Sequence, residues 1–242
     1  MIGRRMRWAA GGLTAALVAG IGGWLWPADG PTARPVTRDE AGRLALARFT
    51  TYEASPARVR ITVPGRNGDT VVDGVVDYRS HHAVGSYRAP GTDSGLLAWD
   101  QEGLGVAPAT GPGGASSDLS VTATMPRAAW SPRAFSPDPF DVGLQLVMRL
   151  AADRPDNVQL LAEQGPRWLR SERIDARSYD VFAGPRPRSA AEPGDSPLTY
   201  WIDGDGGLRR VTVRVAGLER PVTVDFTGGR AEAVPATPWT VG

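Results

Sequence analysis

The chain contains no cysteine. That excludes disulfides, thiol catalysis, thiolate metal sites and the lipid-modified cysteine of a bacterial lipoprotein. Lysine is absent as well, so all 27 basic residues are arginine. A P-loop lysine, a Schiff-base lysine and a Ser-x-x-Lys nucleophile are therefore excluded, because each needs the ε-amino group itself. Histidine is scarce: His81 and His82 are the only two. In an extended chain neighbouring side chains point to opposite faces, which places this pair badly for sharing one metal ion. Nor is there an excess of either charge. The 27 basic and 26 acidic residues leave a net charge of +1, with no electrostatic case for binding nucleic acid.

What is present is length, turns and one long apolar run. A chain of 242 residues, 41% hydrophobic, with 30 glycines and 21 prolines, suits one turn-rich globular domain with an appended segment. Residues 8–26 carry no charge and follow Arg4, Arg5 and Arg7. Their number is close to the ~20 that a helix needs to cross a bilayer. Trp8, Trp24 and Trp26 stand where indoles favour the two interfaces. The expectation is a cytoplasmic segment over residues 1–7, a transmembrane anchor over 8–26, a linker over 27–36 and an extracytoplasmic domain over 37–227. A Pro-rich tail fills 228–242. A cleaved signal peptide shares the charge pattern, but "WLWPADG" lacks the small-x-small cleavage site. Either reading exports the domain.

The exported part begins with a helix. Thr37 precedes Glu40 by three residues, the spacing of a capping box, and Ala41, Leu44, Ala45, Phe49 and Tyr52 then recur at helical intervals. Strands follow. "ARVRITVPG" alternates Val59, Ile61 and Val63 with Arg58, Arg60 and Thr62, giving one apolar and one wet face. Hairpins are expected to bend at residues 79–81 and 100–103, and the Gly- and Ser-rich loop 111–117 separates them from "DLSVTATMP". A second helix is signalled by Asp138 as N-cap, Pro139 at the first helical position, and the stripe Phe140, Leu144, Val147 and Ala151. Strands resume through "RWLRSERIDARSYDVFAGP", "PLTYWIDGDGGLRRVTVRV" and "ERPVTVDFTGG". Short turns between strands and two interrupting helices predict an α+β domain, mainly antiparallel β, covered on one face.

Motifs that would announce chemistry fail on inspection. Asp203 and Asp205 fit the first two ligands of a calcium loop, but Gly207 takes the third, Leu208 replaces the invariant glycine and Arg214 the final glutamate. The same residues suit a glycine-rich hairpin bend. "GTDSG" has its serine one place late for a nucleophile elbow, and "GLGVAP" and "GPGGAS" miss the dinucleotide fingerprint. The chain reads as non-enzymatic, with no cofactor. A hydrolase would need His81 or His82 to converge with carboxylates in a cleft.

The order and wording of the elements carry a resemblance. "ALARFTTYEA" leading into "VRITV", then "GVVDYRSHHAVGSY", "LRSERIDARSYDVFAGP", "LTYWIDGDGGLRRVTVRV" and "PVTVDF" resemble the actinobacterial branch of the LolA and LppX-like superfamily of exported lipoprotein-carrier folds, over residues 37–226. The resemblance implies a strongly curved, half-open barrel with helices on its concave side. An apolar cavity for a lipid acyl chain would lie between them. It also leaves a second function open, a sensor or interaction domain regulating a membrane protein or sigma-factor pathway partner, as in the MucB and RseB-type relatives. The chain departs from LppX-like members in lacking the acylated cysteine, and from soluble LolA in its anchor. Pattern alone nominates Phe49, Phe140, Leu144 and Val147 on helices, and Trp99, Trp168 and Trp201 on strands, as ligand-facing residues. Ordinary core packing obeys the same pattern.

Overall fold

In β2 (Ala57–Val63) the alternation of the sequence becomes a burial pattern. Ala57, Val59, Ile61 and Val63 are buried while Arg58 and Arg60 are exposed, because successive side chains leave a strand on opposite faces. The computed structural model describes residues 32–91, 94–109, 126–185, 196–229, 231 and 234–235. The expected anchor (8–26), the loop 111–117 and the stretch 118–125 lie outside the described residues. Among those described, no helix is long and apolar enough to cross a membrane.

β2 continues through β3 (Thr70–Asp77), β4 (His82–Arg88), β5 (Gly95–Trp99), β6 (Gly103–Pro108) and β7 (Ser131–Ala134) as one meander. A second meander runs β8 (Arg167–Ile174), β9 (Arg177–Ala183), β10 (Leu198–Ile202), β11 (Leu208–Val213) and β12 (Val222–Phe226). Pairing of β12 with β2 fuses the two, with Val224 opposite Ile61. The short strand β1 (Arg34–Pro35), in the stretch expected to be linker, closes onto β8 by pairing Arg34 with Trp168. Among the described residues the result is a curved, open antiparallel sheet of twelve strands in the order β1-β8-β9-β10-β11-β12-β2-β3-β4-β5-β6-β7.

Two helices cover one face. α1 (Arg38–Glu53) starts with the expected box: Thr37 Oγ1 accepts from Glu40 N–H and Glu40 Oε2 from Thr37 N–H, at 3.3 and 2.8 Å. It packs over β10 and β11, with Leu44, Ala45 and Ala47 against Phe182 and Ile202. α2 (Pro139–Met148) is capped by Asp138, whose carboxylate accepts from Phe140 N–H at 2.9 Å. It packs over β2, β12 and β3. Gly143 permits this approach, since a Cβ there would stand 3.0 Å from Ile61 and 3.2 Å from Val222. The helix ends at Met148, so Ala151, expected to continue its stripe, lies beyond the cap. A third helix, α3 (Val158–Glu163), was not foreseen from the pattern; six residues are too few for a readable period.

The Asp203–Gly207 question resolves as a turn. Asp203 N–H donates to Gly207 O at 3.0 Å, and the Asp203 carboxylate accepts from the backbone N–H groups of Asp205 and Gly207 at 3.0 and 2.7 Å. Gly206 supplies the left-handed step, φ 82°.

Candidate functional site

α1 and α2 stand over different strands, and between them part of the sheet is left uncovered. The resulting groove has a volume of about 640 Å³. Its floor is Leu198 and Tyr200 of β10 with Leu208 and Val213 of β11; one wall is Leu44, Ala47 and Arg48 of α1, and the other is Val142, Gln145, Leu146 and Arg149 at α2. α3 forms the rim. It rests on α1 through buried Leu161 and leaves Leu160, a groove-lining residue, 55% exposed.

The connection from α2 to α3 is tied to α1 by its backbone. Ala152 N–H donates to Arg48 O at 3.1 Å and Asp156 N–H to Ala45 O at 3.0 Å. The Arg48 guanidinium spans the same joint, pairing with Asp156 at 3.2 Å and donating to Ala151 O at 3.3 Å. Its Nε is buried with no partner among the described residues. Burial pushes the Tyr200 phenol up to about 12; Arg48 nearby opposes the rise and Asp156 adds to it. The hydroxyl therefore stays protonated at neutral pH. The polar part of the described lining is Arg48, Gln145, Arg149, Asp156, Asn157, Gln164 and the Tyr200 hydroxyl. Apolar walls with a few polar groups are what a binding cleft requires, and the volume falls in the ~300–1,000 Å³ range of ligand pockets.

The seven nominated residues do not converge on this groove. Trp99, Leu144 and Val147 have 0% exposure and belong to the main core. The stripe chosen on α2 faces the sheet, and the neighbouring stripe, Val142, Leu146 and Arg149, faces the groove. Phe140 is half-buried against Tyr87, ring centroids 6.3 Å apart at 74°. Phe49 is half-buried but absent from the lining. Trp168 packs beside Leu44 and Phe182, donates to Asp180 at 2.9 Å and is covered by the Arg34 guanidinium at 4.5 Å. Trp201 clusters with Tyr179 and Val181, on the face of β10 opposite Tyr200 and Ile202. Arg170 and Arg210 lie 5.8 Å from its ring, and its indole donates to Glu172 at 3.1 Å. His81, exposed at a turn, contacts Gln101 at 3.0 Å. Among the described residues no group of three potential ligands stands close enough to hold a metal ion.

No family model and no curated protein matches this sequence. Solved structures do. The chain is similar to the lipoprotein LppX of Mycobacterium tuberculosis, at 14% identity and a TM-score of 0.43, over 80% of this chain and 97% of that one. It is similar to an uncharacterised conserved protein of Thermus thermophilus at 10% identity and TM-score 0.38, over 78% and 87%. A LolA superfamily protein of Nitrosomonas europaea matches at 11% identity and TM-score 0.31, over 83% and 96%.

Most of the groove residues escaped the sequence pattern for identifiable reasons. Leu146 and Val142 lie off the strongest apolar stripe of α2. Leu160 sits on a helix too short to be read, and Tyr200 was eclipsed by the larger Trp201 beside it. One signal was available: α2 is apolar around more of its circumference than one packed face needs.

Proposed function

We propose that this protein is a membrane-tethered extracytoplasmic domain that binds the acyl chain of a lipid, or another apolar ligand, in the groove between α1, α2, α3 and the β10–β11 floor. The observation that carries this reading is the groove itself, half of whose lining is leucine and valine and which is open at Leu160. Burial of apolar ligand surface at ~25 cal/mol per Å² supplies the affinity, less the cost of immobilising the chain. Tethering and export are supported by Arg4, Arg5 and Arg7 preceding the uncharged residues 8–26.

The test is native mass spectrometry with lipid extraction on the full-length chain purified from its own membranes. A stoichiometric co-purifying lipid is expected. Leu146→Trp, which puts an indole into the groove from a half-buried position, is expected to lose that lipid while costing under about 1 kcal/mol of stability. Leu144→Trp, two residues away and fully buried, is expected to cost about 1–3 kcal/mol or more by overpacking. An empty wild-type protein that also fails to bind apolar probes would point instead to a sensor acting through a protein partner.

A further inference from the structure

The groove is not uniformly apolar, and its polar end has a direction. Gln145 on α2 and Arg149, the residue that caps its C-terminus, line both the groove and a smaller cleft of about 280 Å³ formed with Asp100, Gln101 and Met148. They therefore stand where the groove and the cleft adjoin. The other guanidinium of the lining, Arg48, is already engaged by Asp156 and Ala151 O. Arg149 is exposed, and its guanidinium has no hydrogen-bond or ion-pair partner among the described residues. Asp100, the one carboxylate of the adjoining cleft, accepts from the backbone N–H groups of Glu102 and Gly103 at 2.8 and 2.9 Å.

Resting on the apolar-groove reading above, we infer that the ligand is an amphiphile with an anionic head, its apolar part lying over Leu198, Leu208 and Val213 and its head held at Arg149 and Gln145. A guanidinium presents a planar fork of donors that matches carboxylate and phosphate oxygens. The head is a carboxylate or a phosphate monoester.

The experiment uses three photoreactive sixteen-carbon probes carrying a carboxylate, a phosphate monoester or a primary alcohol. Each is titrated against the full-length protein in neutral detergent, with labelled peptides mapped by mass spectrometry. Labelling of the α2 and α3 peptides is expected to half-saturate at about tenfold lower concentration for at least one anionic probe than for the alcohol, the factor that one charge-assisted hydrogen bond carries. Whichever anion half-saturates lower names the head. Arg149→Gln is expected to reduce that preference about tenfold, and Arg149→Lys to keep most of it because the charge remains. If the alcohol half-saturates with the anions in the wild type, the head-group assignment is overturned while the groove reading stands. If no probe labels α2 or α3, the groove reading itself falls.

Discussion

Asp141 lies in the first turn of α2 with no solvent exposure, and every contact it makes holds β7 and its following turn to the helix. Arg133 grips both carboxylate oxygens at 2.6 and 2.8 Å, and Ser136 donates its N–H and its hydroxyl, each at 2.7 Å. Burial opposes ionisation, but the guanidinium and the two serine donors outweigh it and hold the carboxyl below the ordinary range. The sign follows from that direction. A carboxyl whose folded value is depressed stabilises the fold fully above its unfolded value, near 3.8, and ceases to do so as pH falls through the folded value. Asp141→Asn is expected to cost about 2 kcal/mol at pH 7, less than for a fully buried pair because the Arg133 side chain is 46% exposed and can return to water. Urea unfolding of both proteins at pH 7 and pH 3 checks this: the gap in midpoint should shrink at pH 3. An unchanged gap would assign the cost to packing.

At the scale of elements, α3 is the most dependent piece. Six residues cannot sustain an isolated helix, because nucleation costs more than so few bonds return. It stands because Asn157 caps it, accepting from Leu160 N–H at 3.0 Å, and because residues 152–156 are bonded to α1. Asn157→Ala removes the cap, a loss of about 1 kcal/mol. Amide exchange over residues 158–164 is expected to speed up about fivefold, with the sheet unaffected. Matching acceleration in β10 and β11 would show that α3 instead supports the sheet. By contrast, α1 and α2 were legible because both carry caps before an apolar period: Thr37 with Glu40, and Asp138 with Pro139. The expected stripes of both helices face the sheet, with differing depth of burial. α1 buries Ala41, Leu44, Ala45 and Ala47 more completely than Phe49 or Tyr52, since small residues let a helix lie close to a sheet.

For the whole molecule, the pairing of β12 with β2 joins the two meanders and places the largest core beneath α2, where Ile61, Val72, Val222 and Val224 meet Leu144 and Val147. The edges are slighter: β1 has two residues, and β7, with all four exposed, carries Pro132. Both features blunt an edge against further pairing. Hydrogen exchange is therefore expected to be slowest in β2, β3 and β12 and fastest in β1, β7 and α3; slow exchange at β7 would mean that the edge is covered in solution. The sequence by itself determined the alternating strands, the hairpin bends at 79–81 and 100–103, the turn at Asp203–Gly207 and the start of each long helix. These depend on neighbours in the chain, on cap geometry and on strand periodicity. Only the tertiary structure decided which apolar stripe of α2 meets the sheet, that Tyr200 rather than Trp201 faces the helices, and that a groove lies between α1 and α2. Each of those depends on where two helices land across strands distant in sequence, and a buried core wall and an open groove wall have the same local pattern until that distance is fixed.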